Sequence, residues 1–107
     1  MTWEVEFLDD GVRAALESLP SDIQAKFLRI SRLIATVGLP NVHQPYVKHL
    51  EGRLWEMRMK GRDGIARAAY VTAEGHRVVV VHVFTKKTEK TPRREIETAF
   101  RRAREVS

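Results

Sequence analysis

The sequence predicts a small α+β domain in which a helical hairpin packs on a mainly antiparallel, twisted sheet. Three observations lead to this fold class: a helical stripe of apolar residues over 23–37, strand-like segments over 54–84, and a Thr-Pro pair at 91–92 that opens a last helix. The expected order of elements is β-α-α-β-β-β-α. A chain of 107 residues can bury one core, so we expect a single domain over residues 1–107.

The first strand and the first helix are predicted from the N-terminal residues. Residues from Trp3 to Leu8 alternate between apolar and acidic side chains, which is typical of a half-exposed strand. Asp10 follows as the candidate cap of a short helix. Pro20 ends that helix, because proline cannot continue it.

The second helix is the clearest element of the sequence. It opens with a capping-box pattern over Ser21–Gln24, and Gly38 and Pro40 end it. Apolar residues recur every three or four positions between these limits: Ile23, Phe27, Ile30, Ile34 and Val37. We expect both helices to form an antiparallel hairpin on one face of the sheet.

Three strands and a last helix follow a loop over 41–45. Leu54–Lys60 alternates between apolar and charged residues, and Ile65–Thr72 is the next strand. Val78–Phe84 is apolar at nearly every position, which predicts a central strand covered on both faces. Thr91 is the predicted N-cap of the last helix, and Pro92 its first residue.

Positive charge is concentrated in the second half of the chain. The net charge is +5, with 19 Lys and Arg against 14 Asp and Glu. Residues 1–46 contain four basic and six acidic side chains, whereas residues 47–107 contain fifteen and eight. Clustered cations gain affinity for phosphates by releasing counterions, so a polyanion is the expected partner. The alternative is a solvated basic surface without a ligand.

Several classes of site are excluded. The chain has no cysteine, which rules out disulfides, zinc-thiolate sites and thiol catalysis. It has no glycine-rich phosphate loop, and its histidines lack the spacing of metal ligands: His43, His49, His76 and His82. We therefore expect no metal and no other cofactor. Without a long apolar run or a leader, we also expect a cytoplasmic protein with no membrane contact.

Three strand residues are candidates for a cationic site. Arg58 lies on the polar side of its strand. Arg67 lies among apolar residues, where a charge is costly unless it is paired, for example with Glu56, or lines a cleft. His82 interrupts the valine run and is either a core histidine or a catalytic one. The sequence leaves these alternatives open.

The segment from Phe84 to Pro92 contains three lysines between a buried strand and a helix: Lys86, Lys87 and Lys90. The lysine side chains and the free N–H groups at a helix N-terminus both attract phosphate, so we expect this segment to contact a phosphate-containing ligand. The alternative is solvated charge. The arginines of the last helix are compatible with a merely solvated outer face.

Several blocks of the sequence resemble the RelE/ParE toxin superfamily, most closely its HigB-like, phage-derived branch. The resemblance covers nearly the whole chain. It rests on these residues: Leu54–Arg58, Arg67 with Tyr70, Val80–Val83, and the lysine segment through Thr91-Pro92. It implies a RelE-like fold and the toxin of a type II toxin–antitoxin pair. In the RelE and HigB groups, it further implies an endoribonuclease that cuts mRNA in the ribosomal A site without a metal.

The resemblance also implies roles for individual residues. Arg58 and Arg67 match strand cations of the family's cleft, and Lys87 with Lys86 matches its basic position after the last strand. Lys48 lies where some HigB proteins carry a catalytic histidine. Together with the candidates taken from the sequence itself, this gives two expected sets. The catalytic set is Arg67, Lys87, Lys48 and His82, and the RNA- or phosphate-binding set is Arg58, Lys86, Lys90 and Arg53. The family's C-terminal catalytic residues have no counterpart over 93–107, so the general base is not identified.

The implied partners are the ribosome, mRNA and a cognate antitoxin, commonly a helix-turn-helix protein in the HigB branch, in a toxin–antitoxin hetero-oligomer. Two other functions remain open. ParE-like relatives inhibit DNA gyrase, and a domain without its catalytic residues could act as a silent nucleic-acid-binding or regulatory module.

Overall fold

The computed structural model describes residues 2–86 and 90–106. In these residues the chain forms five strands, three α-helices and one 3-10 turn. In chain order they are β1 (Glu4–Phe7), α1 (Asp10–Glu17), α2 (Ser21–Val37), the 3-10 turn (Leu39–Asn41), β2 (Val47–Glu51), β3 (Leu54–Gly61), β4 (Gly64–Ala73), β5 (Arg77–Lys86) and α3 (Arg93–Ala103).

The strands form one sheet in the order β1-β5-β4-β3-β2. β1 runs parallel to β5, and the other three pairings are antiparallel. Helices α1 and α2 pack on one face of the sheet, here called the hairpin face, and α3 packs on the other, the α3 face. The predicted α+β class and the mainly antiparallel sheet are confirmed. None of the helices in the described ranges is long and apolar enough to cross a membrane.

Strand β5 separates the two cores. Val78 and Val80 belong to the core beneath α1 and α2, whereas Val79 and Val81 belong to the core beneath α3. Because successive strand residues point to opposite faces, a strand covered on both sides is apolar at every position. The expectation of a strand covered on both faces is therefore confirmed.

A bulge in β5 changes which residues face α3. Ala69 pairs with His82, but the next residue of β4, Tyr70, pairs with Val80. Val81 is therefore an extra residue in the ladder, and it lies in the α3-side core. Beyond such a bulge the alternation is shifted by one residue. His82 consequently lies on the α3 face next to Val81.

Strand β2 is missing from the predicted order. The prediction places no element between the loop at 41–45 and Leu54, yet Val47–Glu51 pairs with β3. Its register shifts between His49 and Glu51, and it lies at the edge of the sheet. The bulge and the exposed edge break the alternation by which a strand is recognised in sequence.

The starts of α1 and α2 differ from the predicted caps. Asp9, not Asp10, caps α1, and its carboxylate accepts the N–H of Val12 at 2.9 Å. At the start of α2, Pro20 is the N-cap residue and no side chain caps the helix. The predicted capping box does not form, because the Gln24 amide instead donates to backbone carbonyl oxygens at the end of α1.

The end of β5 and the start of α3 also differ from the prediction. The strand extends two residues beyond Phe84, so Lys86 belongs to the sheet and not to a loop. Pro92 is the N-cap residue of α3 and makes no side-chain cap. Thr91 is therefore not the cap: its hydroxyl donates to Glu56 in β3.

The β3–β4 turn packs directly on the start of α2, and this contact requires glycine at position 61. A Cβ atom added to Gly61 would lie 2.6 Å from Ile23 Cγ1 and 2.7 Å from Asp22 Oδ2. The same Asp22 oxygen accepts the backbone N–H of Arg62 at 2.6 Å. The turn has no room to move away without breaking this hydrogen bond.

We expect Gly61→Ala to lower the free energy of unfolding by about 1–3 kcal/mol, as overpacking does in a tight contact. Urea denaturation would measure the loss. Gly64→Ala in the same turn is the matched control, because nothing lies within 4 Å of its added Cβ, and its effect should stay within about 0.5 kcal/mol. Equal effects of the two substitutions would contradict the close contact.

Candidate functional site

The strand register places four of the predicted cations on the α3 face: Lys48, Arg58, Arg67 and Lys86. Arg58 pairs with Arg67, which pairs with Phe84 of the α3-side core. Residues paired across neighbouring strands point to the same side of a sheet. Lys86 follows Phe84 by two positions and shares its face.

Helix α3 packs on the α3 face and has a groove at its N-terminal end. Ala99 and Ala103 of the helix pack over the α3-side core. Its N-terminal end borders a groove of about 460 Å³, lined by Lys48, Glu51, Lys90, Thr91 and Arg93 among others. The sequence-predicted cations of β2 and of the segment before α3 therefore meet at one groove. We call this groove and the adjoining Arg58, Arg67 and Lys86 the cationic cleft.

Arg67 is the most buried cation of the cleft. Its side chain is 1 % exposed and forms an ion pair with Glu56, which is also 1 % exposed. This is the structural ion pair that the sequence allowed as one alternative. A guanidinium buried this deeply can act on a phosphate in the cleft through its charge, but in this conformation it cannot touch one.

A hydroxyl links the buried pair to Lys86. Thr91 Oγ1 donates to Glu56 Oε1 at 2.9 Å and accepts from Lys86 Nζ at 3.2 Å. Lys86 itself is only 8 % exposed. The buried carboxylate of β3, the residue before α3 and the last residue of β5 are thus joined by hydrogen bonds.

The environment of Lys86 shifts its protonation equilibrium toward the neutral form. Burial, followed by the neighbouring Arg67 guanidinium, lowers the pKa of the Lys86 ammonium below its usual value. Arg58 and Lys48 lower this pKa further, and Glu56 partly offsets them. A lysine in such surroundings gives up its proton more readily than an exposed one, which suits a group that transfers protons.

His82 is held on both ring nitrogens. Its Nε2 lies 3.0 Å from Glu95 Oε1, and Nη1 of Arg102 lies 3.1 Å from its Nδ1. A guanidinium can only donate, so Nδ1 accepts and Nε2 carries the proton that is donated to Glu95. The ring also stacks on Phe84 with centroids 5.1 Å apart. His82 therefore anchors α3 to β5, and a catalytic role for it stays a prediction.

Arg53, a further predicted residue, lies away from the cleft. Arg53 donates from Nη2 to the carbonyl oxygen of Ala103 at 2.6 Å, which lies at the C-terminal end of α3, whereas the cleft adjoins its N-terminal end. The structure thus does not bring Arg53 to the cationic cleft. Lys87 lies outside the described residues, so its predicted role stays a prediction.

Glu56 and Thr91 are the members of the site whose roles the sequence did not assign. Glu56 was considered only as a partner for Arg67, and Thr91 only as a helix cap. The sequence signal that could have revealed Glu56 is its position: it is a carboxylate on the same side of the strand as Arg58, among residues that are otherwise cationic. Over the described ranges, no group of three or more His, Asp or Glu side chains is arranged to hold a metal ion.

Comparison with known proteins places the chain in a family. The family model described as phage-derived protein Gp49-like (DUF891) matches residues 14–104. The crystal structure of an archaeal RelE–RelB complex from Pyrococcus horikoshii OT3 has a chain with the same fold, with a TM-score of 0.57 and 23 % sequence identity over 79 % of this chain and 96 % of that chain. No curated protein matches the sequence. The match over most of the chain and the shared fold agree with the resemblance found in the sequence: the chain belongs to the phage-derived Gp49-like family, a RelE/HigB-type toxin family.

Proposed function

We propose that this protein is the toxin of a type II toxin–antitoxin pair and that it cuts mRNA on the ribosome without a metal. The observation that carries the proposal is the cationic cleft, in which a buried lysine with a lowered pKa lies among further cations. Membership of a RelE/HigB-type family supports the substrate and the reaction. The cognate antitoxin, proposed as a helix-turn-helix protein, is the partner that would form a hetero-oligomer with the toxin.

Cleavage of RNA by attack of the ribose 2′-OH needs three things. The hydroxyl must lose its proton, the phosphorane must be stabilised, and the leaving 5′-oxygen must gain a proton. Preorganised cations supply the second requirement, which is commonly the largest contribution to catalysis. In this proposal Lys48 and Lys90, which line the groove, contact the phosphate together with Arg58, and the buried Arg67 adds its charge.

Proton transfer is assigned to Lys86, with Lys48 as the second candidate. Both ring nitrogens of His82 are engaged within the protein, so it is the less suitable proton acceptor. Lys86 combines an amine with surroundings that favour loss of its proton. Lys87, adjacent in sequence, is proposed to hold the scissile phosphate.

We expect Lys86→Met to reduce mRNA cleavage by about 10²–10⁴-fold, the usual contribution of a general acid or base. Lys86→Arg should be nearly as inactive, because arginine keeps the charge but stays protonated. In the wild-type protein a base at Lys86 predicts that cleavage rises with pH through its lowered pKa and reaches its plateau at a lower pH than for an ordinary lysine. Primer extension on programmed ribosomes would measure both effects.

The control for the Lys86 variants is Lys26→Ala, which removes an exposed lysine from α2 on the hairpin face. It should cut like the wild type. Full activity of Lys86→Arg would show that Lys86 contributes only its charge, and the assignment of proton transfer would be wrong.

Inducible expression in a bacterium, with growth followed and mRNA 5′ ends mapped, tests the function itself. We expect arrest with new cuts in translated frames, abolished by Lys48→Ala combined with Arg58→Ala. Arg67→Ala is not used here, because removing one partner of a buried ion pair typically costs about 3–5 kcal/mol and would confound activity with folding.

Two other outcomes would contradict the proposal. Arrest with intact mRNA and DNA damage would favour a gyrase inhibitor of the ParE type. Unimpaired growth, with the protein folded and present, would favour a binding module without catalysis.

A further inference from the structure

A buried chain of polar contacts runs from the middle of the sheet to Lys86. Arg67 is ion-paired with Glu56, Thr91 donates to Glu56 at 2.9 Å, and Lys86 donates to Thr91 at 3.2 Å. A hydroxyl has one proton to donate. Thr91 gives that proton to the carboxylate, so its oxygen lone pairs are left to accept from the Lys86 amine. Each hydrogen bond in this row therefore has one fixed donor and one fixed acceptor.

The residues linked by these polar contacts have little freedom to rearrange. Glu56 is held at one oxygen by Arg67 and at the other by Thr91, and its side chain is 1 % exposed. Thr91 is 7 % exposed and directly precedes Pro92, the N-cap residue of α3. These linked contacts therefore connect β3, β4 and β5 to the start of α3.

We propose that Glu56 and Thr91 are positioning residues that hold the Lys86 amine at the edge of the cationic cleft; this inference rests on the proposed cleavage of RNA there. Neither residue needs to touch the substrate. Glu56 orients the hydroxyl of Thr91, and Thr91 fixes the place of the amine that acts on the ribose.

The charges around Lys86 explain why the amine needs such a support. Arg67 on β4, Arg58 on β3 and Lys48 on β2 act on it with like charge, and Glu56 on β3 acts with opposite charge. Like charges favour a position of the amine further out in solvent. The oxygen of Thr91 is a neutral acceptor that holds the amine in place without neutralising the cations that bind phosphate.

Thr91→Val and Thr91→Ser form the matched pair that tests this inference. Valine keeps the shape of the side chain and removes the hydroxyl, whereas serine keeps the hydroxyl. The reactivity of the Lys86 amine is measured in the isolated full-length protein by acetic anhydride labelling as a function of pH, with peptide mass spectrometry. Losing the acceptor disfavours the ammonium form, so valine should lower the labelling midpoint by about 0.5–1 pH unit, equivalent to one hydrogen bond, and serine should restore it.

The cleavage assay on programmed ribosomes provides the second measurement. The rising limb of the pH profile should shift with the labelling midpoint in the valine variant and return in the serine variant. A midpoint in Thr91→Val that is unchanged or raised relative to Thr91→Ser would overturn the inference. If the valine variant does not fold by circular dichroism, Thr91→Ala gives the same comparison.

The two proposals fail in different ways. If the wild-type protein leaves mRNA intact, the proposed function fails, whereas the labelling midpoints still decide whether the Thr91 hydroxyl holds Lys86. If mRNA is cut but the midpoint does not depend on the Thr91 hydroxyl, the positioning role is wrong and the nuclease proposal stands.

Discussion

The buried ion pair between Arg67 and Glu56 is the interaction on which the rest of the site depends. Moving either charge out of water alone costs several kcal/mol, and the pair offsets this cost only where both partners are held in good geometry. Glu56 partly offsets the charge of Arg67, so most of the positive character of the cleft comes from the surrounding side chains: Lys48, Arg58, Lys86 and Lys90. Through Thr91 the same carboxylate also reaches the start of α3. One buried contact thereby connects the sheet, the helix and the Lys86 amine.

The placement of α3 and the bulge in β5 put this arrangement beside the N-terminal end of the helix. Because Val81 is an extra residue, His82 lies on the α3 face, where it is held between Glu95 and Arg102. Those contacts fix the helix over the valine-rich part of the sheet. The charged residues of β3, β4 and β5 then lie near the groove at the helix N-terminus. An irregularity of one residue thus helps to decide which side chains form the core and which form the cleft.

Regular periodicity made most of the fold predictable, and local irregularity accounts for the differences. The stripe of α2 and the apolar run of β5 identify their elements because packing dictates the residue at each position. Strand β2 escaped detection because a bulge breaks its alternation. For the site, the sequence could name Arg67 and Glu56 as a possible pair but could not decide between pairing and an open cleft. That choice depends on the register between β3 and β4 and on the hydroxyl of Thr91, neither of which has a sequence signal of its own.

The most direct test of the account is the chemistry of the ends left on mRNA by the purified protein on programmed ribosomes. Attack by the 2′-OH, with cations stabilising the phosphorane and an amine accepting the proton, leaves a 2′,3′-cyclic phosphate and a 5′-hydroxyl. We predict these ends, and we expect them to disappear with Lys86→Met. Fragments with 5′-phosphate ends, produced by attack of water, would contradict the role given to the cationic cleft.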